Sequence, residues 1–466
     1  MSFRSVVLLI VLTALSLSGL AAAQDIGSVA IPELQFNPPA VGRFVLGNGL
    51  IVHFYPDTSL PVVSLDAMFH LGEVCVPLDK AGLAELCGSV LRSGGTTKTP
   101  ADQFNEKLDF VGASIHSSAG TESGDVRLRT LKKDLDLSLS LLSEMLLSPA
   151  FDNTKFEIAV ENKLEEIRRE NDEPNAVTRR EFYKKLFPSH PYGMPATAST
   201  VSSITLPELA EFYKRYYRPD NCVMALSGDL TRSEAESLMN QYFGSWSSKG
   251  EVAAKTPALK ESETGVYYVP RDMNQSHLRI GHIGIDRKNE DRYAVQVMNF
   301  ILGGGGFMSR MTNRIRVQEG LAYTVGTNFY MMDESGSFYA YCQTKSESTC
   351  KAIELILDVM RTFISEGATD RELEVAKNSI LNSDVFNYAT PDQIAYQEAQ
   401  LEFQGFPPGQ LKRRIEAIKA VSLADVKRVA QAYLHPDSMI FVVVGNDKAF
   451  DKPLSEFGAV KTLQVE

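Results

Sequence analysis

Residues 205–228 recur in outline as residues 422–445, at a constant offset of 217. In each copy a hydroxyl residue, Thr205 or Ser422, stands three positions before a carboxylate, Glu208 or Asp425, which is the signature of a capped helix start. Each helix must stop before Pro219 or Pro436, and a β-rich run then leads to Gly228 or Gly445. A period this long excludes a solenoid of short repeats. It predicts two homologous domains of about 200 residues each.

The first copy opens with residues 43–54, where Asn48 and Gly49 separate two β-rich runs as in a hairpin. A further strand is predicted over residues 62–70, and a strand pair within 113–129. Amphipathic helices are predicted over 83–91, 101–111, 134–147, 153–170 and 177–186. Strands and helices segregated in this way within one unit predict an α+β class, each domain a mostly antiparallel sheet packed with helices. The predicted boundaries are 40–246 for the first domain, 247–264 for a small, charged and unpatterned linker, and 265–460 for the second domain.

Of 466 residues, 44% are apolar and 23% charged, which suits a globular chain too long for a single ordinary core. Residues 1–23 differ from the rest: Arg4 precedes an apolar run, and Ala21, Ala22 and Ala23 supply a small-residue cleavage site. That segment reads as a secretory signal peptide, which predicts an exported, periplasmic or extracellular protein. No later segment reaches the roughly 20 apolar residues of a membrane span. The formal charge of −11 argues against nucleic acid or an anionic membrane surface as partner. Five cysteines, Cys75, Cys87, Cys222, Cys342 and Cys350, form no CxxC pair. They indicate neither a disulfide scaffold nor a thiolate metal site, with Cys75–Cys87 and Cys342–Cys350 as the open bridging alternatives.

Residues 303–323 carry the clearest chemical signal. Gly303, Gly304, Gly305 and Gly306 allow a tight turn or a close backbone approach, and Phe307, Met311 and Ile315 recur at i, i+4 and i+8 as one helical stripe. Gly320 is expected to end that helix, leaving Arg316 in its last turns and Tyr323 at the start of a strand. A guanidinium and a phenol facing one cleft could bind a peptide carbonyl or an oxyanion. From spacing alone the alternative also stands that Arg316 caps the helix end and Tyr323 packs in a core.

The motifs Leu46-Gly47-Asn48-Gly49-Leu50, Gly82-Leu83-Ala84, His190-Pro191-Tyr192-Gly193, Tyr217-Arg218-Pro219-Asp220-Asn221, Asn274-Gln275-Ser276 and Ser309-Arg310, with Arg316 and Tyr323 after them, stand in the order of a known family. In that order the chain resembles the M16 metallopeptidases (insulinase, pitrilysin, mitochondrial processing peptidase), specifically their bacterial two-domain members, over residues 44–450. The resemblance implies two M16-type α/β sandwich domains forming a clam-like half-chamber.

Active M16 members carry His-x-x-Glu-His on the helix that starts at Gly-Leu-Ala, two imidazoles and a general-base carboxylate on one helix face, with a further Glu downstream completing the zinc site. Here the first His position is Glu85, the base position is Gly88 and the second His position is Ser89. The downstream carboxylate is present as Glu166, while the glutamate the family places seven residues earlier is Ala159. One hard ligand and no base imply no zinc in this chain. Glu85 and Glu166 are then solvated or paired with basic residues, unless His70 or water helps them to hold a metal.

The resemblance also implies that Arg316 and Tyr323 clamp a substrate backbone and stabilise a tetrahedral intermediate. The glycine run before them is similar to the flexible glycine loop of the processing peptidase's non-catalytic subunit. Together these imply a zinc-free, non-catalytic subunit of a heterodimeric peptidase, acting on a peptide substrate beside a zinc-bearing M16 partner subunit. The alternatives are an inactive peptide-binding or scaffold protein of the same fold, and an autonomous metallopeptidase with an atypical site.

Overall fold

The computed structural model describes residues 38–247 and 257–465. The predicted signal peptide lies outside the described residues, as does half of the predicted linker. The first half runs β1 (Gly42–Val45), β2 (Ile51–Pro56), β3 (Val62–Phe69), α1 (Leu83–Ser93), α2 (Ala101–Val111), β4 (Ser114–Ala119) and β5 (Gly124–Leu131). It continues with α3 (Leu135–Leu147), α4 (Asn153–Glu170), α5 (Pro174–Leu186), α6 (Leu206–Tyr216), β6 (Cys222–Gly228) and α7 (Arg232–Phe243). The second half runs β7 (Gly265–Pro270), β8 (Gln275–Gly284), α8 (Arg292–Asn299), β9 (Ala322–Met331), β10 (Gly336–Lys345), α9 (Thr349–Glu366) and α10 (Asp370–Asp384). It ends with α11 (Pro391–Phe403), α12 (Gln410–Ala420), α13 (Leu423–Tyr433), β11 (Ile440–Gly445) and β12 (Val460–Thr462).

Each half builds one six-stranded open sheet, in the orders β1-β2-β6-β3-β5-β4 and β12-β7-β11-β8-β10-β9. Five strands occupy equivalent places, and in both sheets the central strand after the repeated helix is parallel to one neighbour and antiparallel to the other. The sheets differ at one edge. The hairpin partner β1 completes the first antiparallel to β2, whereas β12 completes the second parallel to β7. Both repeated helices carry the predicted capping boxes, Thr205 with Glu208 and Ser422 with Asp425, with side-chain and backbone bonds in both directions.

One face of each sheet packs under its own helices, forming a core around Leu65, Leu128, Leu142 and Phe243 in the first half and around Ile280, Phe338, Ile356 and Val443 in the second. The strands β3, β6 and β11 are buried along nearly their whole length, so their other faces also need cover. That cover is exchanged between the halves. Helix α11 lays Ala395 and Ala399 on Met68, Val223 and Ala225 of the first sheet, while α5 lays Val177, Phe182 and Leu186 on Val269, Ile440 and Val442 of the second. The two helices are themselves 217 residues apart, each starting with proline and each 13 residues long. Polar contacts fix the first of these seatings: Glu402 on α11 accepts from Arg43 and lies 2.7 Å from His53 Nε2. Residues 257–264, within the predicted linker, form no helix or strand, and Glu263 N–H donates to the Lys185 carbonyl at the end of α5.

A second link joins the two hairpin tips. Glu122, between β4 and β5, accepts from the Tyr192 hydroxyl and from Arg287, and its carboxylate takes the Asp333 backbone N–H at 2.8 Å. Arg287 also reaches Asp333 at 3.1 Å, and Glu334 N–H donates to the Tyr192 hydroxyl. Burial, reinforced by Glu122, pushes the Tyr192 phenol well up from its ordinary value, so this hydroxyl remains a donor. The motif His190 to Gly193 thus serves the junction: His190 is fully buried and its Nδ1 accepts the Tyr192 N–H. All five cysteines are free thiols, which corrects the two bridging alternatives. Replacing Glu122 with Ala strands Arg287 and Tyr192 at this junction and is expected to cost on the order of 3 kcal/mol. The check is the midpoint of thermal unfolding; an unchanged midpoint rejects the clasp as a stabilising element.

Candidate functional site

Helix α1 starts where Gly82 takes a left-handed backbone, φ 103°, and it turns its first residues towards a carboxylate nine positions upstream. Glu73 accepts the Gly82 N–H at 2.9 Å and the Glu85 N–H at 3.2 Å, so it caps the positive end of α1. Burial raises the Glu73 carboxyl to about 6 against these two bonds. Nothing in the sequence pattern singled out this residue, because its role depends on a 3₁₀ turn that folds back onto the helix start.

The positions of the degenerate zinc motif have well-defined places. The Lys163 ammonium, from α4, lies 2.8 Å from a Glu85 oxygen and 3.2 Å from a Glu166 oxygen. Burial alone would lower the Lys163 pKa, but its bonds and attraction to the two carboxylates outweigh that and hold it above the usual lysine value. Of the readings open for Glu85 and Glu166, pairing with a basic residue is the one realised. His70 does not join them; its ring stacks on Phe403 of α11 at 4.0 Å. Ser89 is exposed, and Ala159 is buried on α4, one turn before Lys163.

Gly88 faces the backbone of β4. A Cβ there would stand 2.7 Å from Ala119 N and 2.7 Å from the Ser118 carbonyl carbon, so α1 and β4 have closed over the place of the general base. Two carboxylates that already share an ammonium, with no imidazole or thiolate beside them, are a poor donor set for zinc. Among the described residues, no group of three or more His, Cys, Asp or Glu side chains is arranged to hold a metal. The residues at this place do not fit the family's metal.

The other half of the site is built differently from the expected continuous helix. After α8 the backbone widens into a π-helix over Phe300–Gly304, turns through a 3₁₀ segment at Gly306–Met308, and widens again over Thr312–Gln318. Gly303 permits this by touching β9 directly: a Cβ would meet Thr327 Oγ1 at 2.4 Å and Thr327 N at 2.6 Å. Gly306 then takes φ 58°, which turns the following residue outwards. Met311 and Ile315 are buried as expected, but Phe307 is 64% exposed and leaves the predicted stripe. Gly320, at φ 66°, follows the end of the second π-helix, and β9 begins at Ala322.

Phe307 meets Arg316 instead of the core. The guanidinium carbon is 4.6 Å from the Phe307 ring centroid and 4.7 Å from that of Tyr323. Tyr323, on the edge strand β9, is 77% exposed, which overturns the alternative of a core tyrosine. Neighbouring arginines are paired, Arg310 with Glu372 and Arg314 with Glu319. Arg316 has no hydrogen-bonding or carboxylate partner among the described residues. The pair and the degenerate zinc positions lie in opposite halves, with no hydrogen bond, ion pair or ring contact joining them among the described residues. Sequence reasoning found Arg316 and Tyr323 but missed the second ring, that of Phe307; a lone aromatic after four glycines was its only signal.

Two measurements test the closed side. Gly88→Ala gains about 1 kcal/mol of helix propensity. The clash with β4 outweighs that gain, and a net loss of about 1–2 kcal/mol is expected by chemical denaturation. For Glu73, the folded carboxyl binds its proton more tightly than the ordinary value of 4.5 allows. Wild-type stability relative to Glu73→Gln is therefore expected to fall by about 1–2 kcal/mol as pH rises from about 4.5 to about 6, and to stay level above that. Parallel stability–pH curves would contradict it.

The comparisons with known proteins agree with this geometry. Residues 56–199 match the family model described as insulinase (peptidase family M16), and residues 203–380 match that of the peptidase M16 inactive domain. The chain is 27% identical to a Helicobacter pylori protein named non-peptidase homolog YmxG, over 84% of this chain and 90% of that one. It is 28% identical to an uncharacterized zinc protease of Mycobacterium leprae, over 64% of this chain and 68% of that one. A crystal structure of a peptidase M16 inactive domain from Pseudomonas fluorescens superposes with a TM-score of 0.80 at 27% identity, covering 87% of this chain and 98% of that one. Two sheet-plus-helix domains, the ordered motifs and these likenesses have one reading: the chain belongs to the M16 peptidase family.

Proposed function

We propose that this chain is the exported, zinc-free subunit of a two-chain M16 peptidase, presenting Arg316 and Tyr323 to a peptide that is cleaved at a partner subunit's zinc. The observation that carries this reading is the contrast between the two halves. Where active members hold zinc, an ammonium joins the remaining carboxylates and strand backbone fills the place of the base. In the opposite half a half-buried cation and an exposed phenol on the edge strand beside it have no internal charge partner among the described residues, at a cost in order that binding would offset. In such a complex, Arg316 would bind and orient the peptide, and Tyr323 would donate to oxygen as negative charge develops there. The water attack itself belongs to the partner.

A second reading, an inactive peptide-binding or scaffold protein, draws support from the relative named a non-peptidase homolog. Reconstitution separates the two. The chain mixed with an M16 subunit that bears His-x-x-Glu-His is expected to hydrolyse an unstructured peptide that the chain alone leaves intact. Arg316→Ala or Tyr323→Phe should lower that activity by about tenfold or more at an unchanged unfolding midpoint. Full activity of the double variant rejects the subunit reading; absence of activity with any such partner favours the scaffold.

A further inference from the structure

We propose that Phe307, Arg316 and Tyr323 form a carboxylate-reading platform, so that the peptides this chain presents carry an acidic group between apolar side chains. The inference rests on the peptide-presenting role above and adds the chemistry of the ligand. A guanidinium offers two kinds of surface: π-faces that stack on rings, and an edge of five N–H donors in a planar fork. Here the guanidinium carbon stands within cation–π distance of two rings, 4.6 Å from Phe307 and 4.7 Å from Tyr323. The two rings supply its cation–π contacts and restrict the rotation of a long side chain. None of its N–H donors has a hydrogen-bond acceptor among the described residues, which leaves the fork for a planar acceptor. A carboxylate fits such a fork with two parallel bonds, a carbonyl with one.

The surroundings select the acidic ligand in the same way. Every other arginine of this segment has found a carboxylate within the chain: Arg310 bonds Glu372 at 2.6 Å and Arg314 bonds Glu319 at 2.6 Å. Arg316 alone of the three lacks one among the described residues. Around it, Phe307, Met308, Val317 and Tyr323 are between 57% and 77% exposed, although all four carry large apolar or aromatic surfaces. An uncompensated cation among exposed apolar groups is complementary to an anion with apolar neighbours. Phe307 is a positioning residue in this scheme: it touches Arg316 rather than the acceptor, and the glycine run places it there through the close approach of Gly303 to β9 and the positive φ of Gly306.

The probes are two fluorescein-labelled, amidated hexapeptides with a central Glu or a central Gln between leucines, titrated by polarisation against the full chain. The Glu peptide is expected to bind about tenfold tighter than its Gln isostere, and Arg316→Ala should abolish that preference. Phe307→Leu keeps apolar bulk without the ring quadrupole and should weaken Glu-peptide binding about threefold, while Phe307→Tyr restores it. Phe307 is 64% exposed, so none of these variants should shift the unfolding midpoint. Equal affinities for the two peptides, or a Phe307→Leu variant indistinguishable from wild type, overturn the platform. Binding of both peptides that still requires Arg316 would do so while leaving the presenting role intact. Failure of both peptides to bind also overturns it, and the reconstituted activity of Arg316→Ala then shows separately whether the presenting role fails too.

Discussion

The reciprocal exchange of α5 and α11 is the constraint on which this architecture depends. A sheet with strands buried on both faces must be covered twice, and each half keeps only one helical layer for itself. The second layer comes from the other half. The hydrophobic gain of each exchanged helix therefore belongs to both halves at once, and separating them would expose Met68, Val223 and Ala225 on one sheet and Val269, Ile440 and Val442 on the other. Small residues make the first seating close: Ala395 and Ala399 let the α11 backbone approach the strands. The second seating uses bulk, with Phe182 and Leu186 filling a space that extends to Tyr192 and Met332. Through Tyr192 that apolar contact leads directly into the Glu122 junction, so packing and polar clasp act on the same boundary.

Between the two half-sites themselves no hydrogen bond, ion pair or ring contact runs among the described residues, and each can be understood from its own chemistry. At the degenerate zinc position the charge balance is local. Glu85 and Glu166 would repel if left alone, and Lys163 sets one positive charge between them. Both carboxylates are substantially exposed, with side-chain accessibilities of 42% and 56%, so the arrangement adds at most about 1 kcal/mol to stability. Its importance is chemical. An ammonium held by the same oxygens competes with a divalent ion for them, and the contact of Gly88 with β4 removes the volume that a general base would need.

The repeat at 217 residues, the order of strands and helices, and the bounds of α2 and α4 were legible because each depends on local grammar: capping pairs, prolines and apolar periodicity. The exchange of α5 and α11 was not, since an amphipathic helix shows that it has an apolar face but not whose sheet will receive it. Glu73 and Lys163 were missed for a related reason. Their partners are set by tertiary approach, Glu73 across a 3₁₀ turn and Lys163 from α4 to α1, and neither leaves a periodic trace. The helix expected over Phe307, Met311 and Ile315 failed at its first residue because both properties weighed for the glycines, a tight turn and a close backbone approach, are realised: Gly303 meets β9 directly and Gly306 turns Phe307 out of the stripe.

That combination changes what the glycine run does for Arg316. A loose loop would present the cation in many orientations and would lose that freedom on binding. Here the chain is instead packed against β9, turned outwards at Gly306 and followed by a ring that lies on the guanidinium. The second ring comes from β9 itself, so a 3₁₀ turn before Arg316 and a strand after it supply the two contacts from opposite directions in sequence. Much of the ordering of a long, rotamer-rich side chain is therefore completed during folding, where the sheet and the buried residues Met311 and Ile315 stabilise it, rather than at the moment of binding. An arginine prepared in this way gains more from a ligand that meets its fixed donor edge than from one that demands a new rotamer.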